Sequence, residues 1–145
     1  MTTTQIYRVF IRASAERIWE AINHPDFTER YFYGARIENS AETHSAHGPD
    51  GEDWGSGATL EWDPPHRVVH EWRSAYDPQL APEPASRVTW EIEESGDDLC
   101  LLTLTHDRLE ASPLTAADVS GAGWTFVLSS LKSLLETGTA LARTS

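Results

Sequence analysis

The side chains best able to do chemistry here are imidazoles, and two of the six, His70 and His106, fall on the apolar side of alternating runs. Around His70 the even positions Val68, His70 and Trp72 are the apolar set, while Glu71 and Arg73 suit solvent. Around His106, Cys100, Leu102, Leu104 and His106 alternate in the same way. An imidazole on such a face can give a donor or acceptor to a ligand, or work as a general base. It can equally be a core group satisfied by a neighbour or by water. With one strand between theirs and ~4.8 Å between strands, the two rings stand roughly 10 Å or more apart. They cannot share a metal ion directly.

Other candidates carry less. His44-x-x-His47 would present two metal ligands on a helix, yet it precedes Gly48-Pro-Asp-Gly51 with no fixed third ligand, so it reads as a solvated loop. Gly55-Ser56-Gly57 lacks the strand-to-helix context of a phosphate loop or a nucleophile elbow. Glu61 alternates to solvent between Leu60 and Trp62. Cys100 is the only cysteine, which excludes an intramolecular disulfide, and its apolar run makes it a buried structural thiol. No Ser-His-Asp set follows from spacing. No catalytic residue, metal or cofactor is assigned.

The elements that would position these groups follow from periodicity. Residues 6–11 read as a strand, Ser14 as the cap of a helix with the stripe Ala15, Ile18, Trp19 and Ile22, and Pro25 as the start of a second short helix. Residues 35–38, 58–63, 67–74, 87–93 and 99–106 read as strands. Residues 42–57 read as a long loop or hairpin tip, 77–84 as a loop, 109–120 as a connector, and 1–3 as frayed. A turn at residues 95–97 that pairs Glu94 with Asp98 would set Trp90 opposite Leu102 and Val88 opposite Leu104. Residues 123–141 form the longest amphipathic stretch, with Trp124, Val127, Leu128, Leu131, Leu134, Leu135 and Leu141 on one stripe and Ser129, Ser130, Lys132, Ser133 and Glu136 opposite. At ~1.5 Å per residue this helix is roughly 26 Å long, about five turns. An α+β chain results, with a curved antiparallel sheet wrapped around a long C-terminal helix.

Composition bounds the partners. At 145 residues the chain reads as one domain, with no run long and apolar enough for a membrane span and no signal-peptide pattern, hence a cytoplasmic protein. A net charge of −12 and a single lysine, Lys132, leave no basic footprint for nucleic acid or an anionic membrane. The acidity reads as solubility before it reads as a basic partner. Trp62, Trp72, Trp90 and Trp124 converge on one sheet–helix space, where four stiff indoles either fill a core or leave a cavity.

Four segments carry a family likeness: residues 11–19 (IRASAERIW), 57–72 (GATLEWDPPHRVVHEW), Trp90 with 102–106 (LTLTH), and Gly123-Trp124 through Leu128, Leu131-Lys132 and 135–138. In this order they resemble the helix-grip superfamily (START-like, birch-pollen-allergen-like), and within it bacterial proteins related to the activator of heat shock protein 90 ATPase. The resemblance implies an apolar cavity between sheet and helix that takes a small hydrophobic or aromatic molecule, lipid-like or polyketide- and flavonoid-like. Trp62, His70, Trp72, Val88, Trp90, Leu102, Leu104, His106, Trp124 and Leu128 are the expected ligand-binding residues. It also implies two alternatives: a cyclase or hydrolase with His70 as general base, and a co-chaperone that meets a chaperone or a second copy of itself.

Overall fold

Alternation builds a sheet from strands whose inward residues are apolar and whose outward ones are charged. The computed structural model describes residues 4–141, so the expected fraying of residues 1–3 lies outside it. The order is β1 (Gln5–Ile11), α1 (Ala15–Asn23), α2 (Pro25–Tyr31), β2 (Arg36–Asn39), β3 (Thr43–His47), β4 (Asp53–Asp63), β5 (Arg67–Trp72), β6 (Ser86–Gly96), β7 (Leu99–Asp107), α3 (Pro113–Asp118), a π-helical turn (Val119–Gly123) and α4 (Trp124–Thr137). One seven-stranded antiparallel sheet runs β1-β7-β6-β5-β4-β3-β2 and curls around α4. The α+β helix-grip architecture expected from the sequence is present.

Local chemistry explains the helix boundaries. Ser14 Oγ accepts from Arg17 N–H at 3.2 Å and starts α1. His24 ends α1 and caps α2, its Nδ1 accepting from Asp26 N–H at 3.2 Å, and Pro25 fills the first turn. On α4 the buried residues Trp124, Val127, Leu128, Leu131, Leu134 and Leu135 are the stripe read from the sequence. The helix stops earlier than expected, because Gly138 takes a left-handed φ of 85° and its N–H bonds Leu134 O at 2.8 Å. Leu141 lies beyond it and is 44% exposed. Ser130, expected on the polar side, is buried, and its Oγ accepts from Leu141 N–H.

Three segments differ from expectation. Residues 42–57, read as a long loop or hairpin tip, are the β3–β4 hairpin, with strand in both arms rather than at a tip alone. Its glycines mark a bend in a strand: a Cβ on Gly55 (φ 133°) would come within 2.2 Å of Arg73 O, and one on Gly57 within 2.8 Å of Glu71 Cβ. The β6–β7 register is slipped by two residues, with Trp90 opposite Leu104 and Val88 opposite His106, through a bulge between Glu94 and Gly96. A slip of two keeps every side chain on its face. The connector at 109–120 contains α3. Pro113 opens that helix, and the Glu83 carboxylate accepts from Leu114 N–H (2.9 Å), Thr115 N–H (2.7 Å) and Thr115 Oγ1 (2.7 Å). Together with buried Leu80, this pins the loop read at 77–84.

Cutting the chain after Ser120 removes six large buried apolar side chains of α4. At ~1.5 to 3 kcal/mol each this loss matches or exceeds the ~5 to 15 kcal/mol stability of an ordinary domain. The fragment is expected to be insoluble or molten, which a calorimetric scan checks; a cooperative transition would contradict the packing described.

Candidate functional site

Where α2 turns into β2, the chain cannot lie flat on the sheet, and a cavity of about 450 Å³ remains between that corner, the sheet and the π-helical turn. Phe32, Tyr33, Ala35 and Ile37 come from the corner, Ala46 from β3, Trp54 from β4 and Trp72 from β5. Tyr76 follows β5, while Asp118, Val119, Gly123, Trp124 and Val127 come from the helical side. Its aromatic wall is three rings in mutual contact: Trp72 on Trp124 (5.1 Å between centroids), Phe32 on Trp124 (5.7 Å) and Phe32 on Trp72 (6.2 Å).

Two tyrosines stand at the rim, 39% and 38% exposed, and both reach the helical run around the π turn. Tyr33 takes φ 54° and donates to Gly123 O at 3.4 Å, while its ring stacks on Phe126. Tyr76 packs on Trp54 at 5.9 Å and donates to Asp118 Oδ2. Burial, reinforced by the Asp118 hydrogen bond, raises the Tyr76 phenol well above its ordinary pKa, so it stays a donor. A π turn widens the helix locally, which suits a lining segment.

Behind the wall lies a polar floor whose hydrogen bonds fix both histidine tautomers. His70 Nδ1–H donates to Glu71 O at 2.9 Å, so its Nε2 is the acceptor for Trp90 Nε1–H at 3.3 Å. Trp124 Nε1–H donates to His106 Nδ1 at 3.0 Å, leaving His106 Nε2–H to donate to Ser86 Oγ at 2.7 Å. Trp72 Nε1–H reaches Ser74 Oγ at 3.0 Å. His44, read from sequence as solvated, is 2% exposed and stacks on His70 with centroids 4.0 Å apart and planes at 12°. Its Nδ1 bonds Asn39 Oδ1 at 2.6 Å, and Asn39 Nδ2 donates in turn to Asn23 Oδ1 at 2.9 Å. The reason is the strand: in β3, His44 and Ala46 point inward while Thr43 and His47 point out. His44 and His47 thus lie on opposite faces and cannot share an ion, and the described residues contain no cluster of metal-binding side chains.

Of the ten residues read as ligand-binding, Trp72 and Trp124 line the cavity. His70, Trp90 and His106 form the floor network behind it, and Val88, Leu102, Leu104 and Leu128 are core. Trp62 lies at the α1 end of the sheet, edge-on to Trp19 at 4.9 Å. Sequence reasoning missed Phe32, Tyr33, Trp54, Tyr76 and Asp118. An indole in a polar segment, Trp54, was the one available signal.

Burial pushes His70 down to about 4, against its backbone hydrogen bond, and His106 down to about 3, with His70 adding to the effect and Asp107 opposing it. Burial and His70 also hold His44 well below the ordinary value of 6.5. The unfolded chain takes up protons at these rings below pH ~6.5 and the folded chain does not, so their stability contribution is full above that pH and is lost as pH falls toward 4. His70 and His106, at close to ~1.4 kcal/mol per pH unit each, lower stability by roughly 2.5 kcal/mol between pH 6 and 5, and His44 adds in the same direction. Urea unfolding at pH 7, 6 and 5 measures this; a midpoint unchanged from 7 to 5 would contradict neutral buried histidines.

A family model described as "Activator of Hsp90 ATPase homolog 1-like protein" matches residues 12–136. No curated protein sequence matches the chain. Among solved structures, CalU16 from Micromonospora echinospora is similar at TM-score 0.69 and 24% identity, over 93% of this chain and 77% of that one. DynU16, from the dynemicin biosynthetic locus, gives TM-score 0.72 at 19% identity over 97% of this chain and 49% of that one, so this chain spans about half of it. PFC0360w, an HSP90 activator from Plasmodium falciparum, gives TM-score 0.66 at 19% identity over 86% of this chain and 91% of that one. At such identities the structural likeness is one of fold. The family match runs from the residue after β1 to the last turn of α4, and the sheet it covers grips that helix. The chain is therefore a member of the Activator of Hsp90 ATPase homolog 1-like family, within the helix-grip superfamily.

Proposed function

We propose that this protein binds a small hydrophobic or aromatic molecule in the cavity of about 450 Å³ between the sheet and the C-terminal helical run, without transforming it. The observation that carries the reading is that cavity, set against the buried core and walled by Trp72, Trp124 and Phe32. Ligand sites of this size are mostly apolar, with few polar groups at their edges. The floor chemistry favours binding over catalysis, because His70 and His106 already have both ring nitrogens engaged. A general base must reach a substrate proton with a free lone pair, and neither ring offers one. DynU16, from a biosynthetic locus, supports a small-molecule role by analogy of fold.

A second reading, regulation of a heat shock protein 90-type ATPase, draws on the family and on the likeness to the Plasmodium activator. It is a surface function, and a binding cavity does not compete with it. A fluorescence titration decides the first reading. A flat polycycle such as flavone, seated against Trp72 and Trp124, is expected to quench indole emission saturably with micromolar affinity, about −8 kcal/mol. Ala46→Phe projects a ring from β3 into the cavity and should weaken flavone at least tenfold while the melting transition stays cooperative. If flavone and a wider panel of apolar compounds leave the emission unmoved, and native mass spectrometry finds nothing carried through purification, the binding reading is overturned.

A further inference from the structure

The cavity is apolar within, yet its rim carries a charge of one sign only. Asp118 is the sole ionisable acid or base among the lining residues apart from the tyrosine phenols. Tyr76 donates to its Oδ2, and among the described residues no protein donor reaches Oδ1. Asp77 adds a second negative charge in electrostatic contact with Tyr76. The cations that follow lining residues in sequence are committed elsewhere: Arg36 to Glu29 and Asp26, Arg73 to Ala81 O at 2.9 Å. Arg30, on α2, donates to Gly138 O, and the only lysine is held by Phe10 O and Glu136. The net charge of −12 adds a long-range field of the same sign.

From this the geometry points to a ligand that is an uncharged or cationic aromatic molecule, with Asp118 at the rim excluding carboxylates and sulfonates of the same shape. This rests on the cavity reading above and narrows its substrate class. A carboxylate such as a fatty acid would place its head group where the rim offers an acceptor and a like charge, with no guanidinium or ammonium to pair it. An amine or a phenol meets the reverse: the open Asp118 Oδ1 accepts its proton. Like-charge repulsion at a partly exposed rim is screened by salt, so the discrimination should be strongest at low ionic strength.

Two fluorophores of one scaffold test it: N-phenyl-1-naphthylamine, which is neutral, and 8-anilino-1-naphthalenesulfonate, which adds one sulfonate. In 20 mM buffer the neutral probe is expected to bind at least tenfold more tightly, and Asp118→Asn, whose side-chain carbonyl still accepts from Tyr76, should narrow the ratio to about threefold or less. Ala46→Phe reports which signal belongs to the cavity. Equal binding of the two probes at that site overturns the charge selection and leaves the cavity reading standing. A ratio that survives Asp118→Asn and 0.5 M salt assigns the preference to size, and also overturns it. Failure of both probes to bind takes down the cavity reading and this inference with it.

Discussion

The fold depends on the pairing of buried indole N–H groups with buried imidazole nitrogens. An unmet polar group in such a core costs ~1 to 3 kcal/mol, so each tryptophan brought inward must bring an acceptor with it. Trp90 on β6 finds His70 on β5, and Trp124 at the head of α4 finds His106 on β7. The second pair ties the helix to the sheet with a directional bond, and Ser86 extends it to β6. Apolar packing further along α4 sets how closely the helix lies. The hydrogen bond to His106 sets where its first turn begins, and the π turn just before it adapts the chain to that point. The cavity lies against that widened turn, on the other side of Trp124 from the floor.

Much of this was legible in the sequence, for reasons that differ by element. The faces of β6 and β7 were readable because a period of two survives a register slip of two, so His106 reads as inward although the β6–β7 pairing differs, and His70 reads as inward from alternation within β5 alone. The α4 stripe was readable because nothing but Gly138 interrupts it. By contrast, β3 and the first half of β4 hide behind Gly48, Gly51, Gly55 and Gly57. Single-sequence reasoning takes such glycines as breakers, whereas two of them admit close contacts from Arg73 and Glu71. His44 vanished with that strand. The cavity itself was the least legible part. Its walls come from corners, the turn at Tyr33, the segment after β5 and the π turn, and tertiary geometry rather than periodicity places them.

Family membership and site chemistry say different things about function. Membership supplies the architecture and a set of activities that relatives of low identity carry. The site supplies constraints of its own: histidines occupied by indoles, a carbonyl and a hydroxyl, an aromatic wall, and one carboxylate at the rim. Those constraints favour recognition of a flat apolar molecule over acid–base chemistry on it. They place the chemically interesting residues outside the histidine pair that the sequence first draws attention to.

The most direct measurement of this account is the protonation and tautomeric state of the two floor histidines, read from long-range ¹H–¹⁵N correlations of the imidazoles at pH 7. Neutral rings are predicted, His70 protonated on Nδ1 and His106 on Nε2, with both patterns unchanged when flavone is added. An imidazolium pattern at either ring, or averaging between tautomers, would mean that an imidazole is free to act, and would contradict the account.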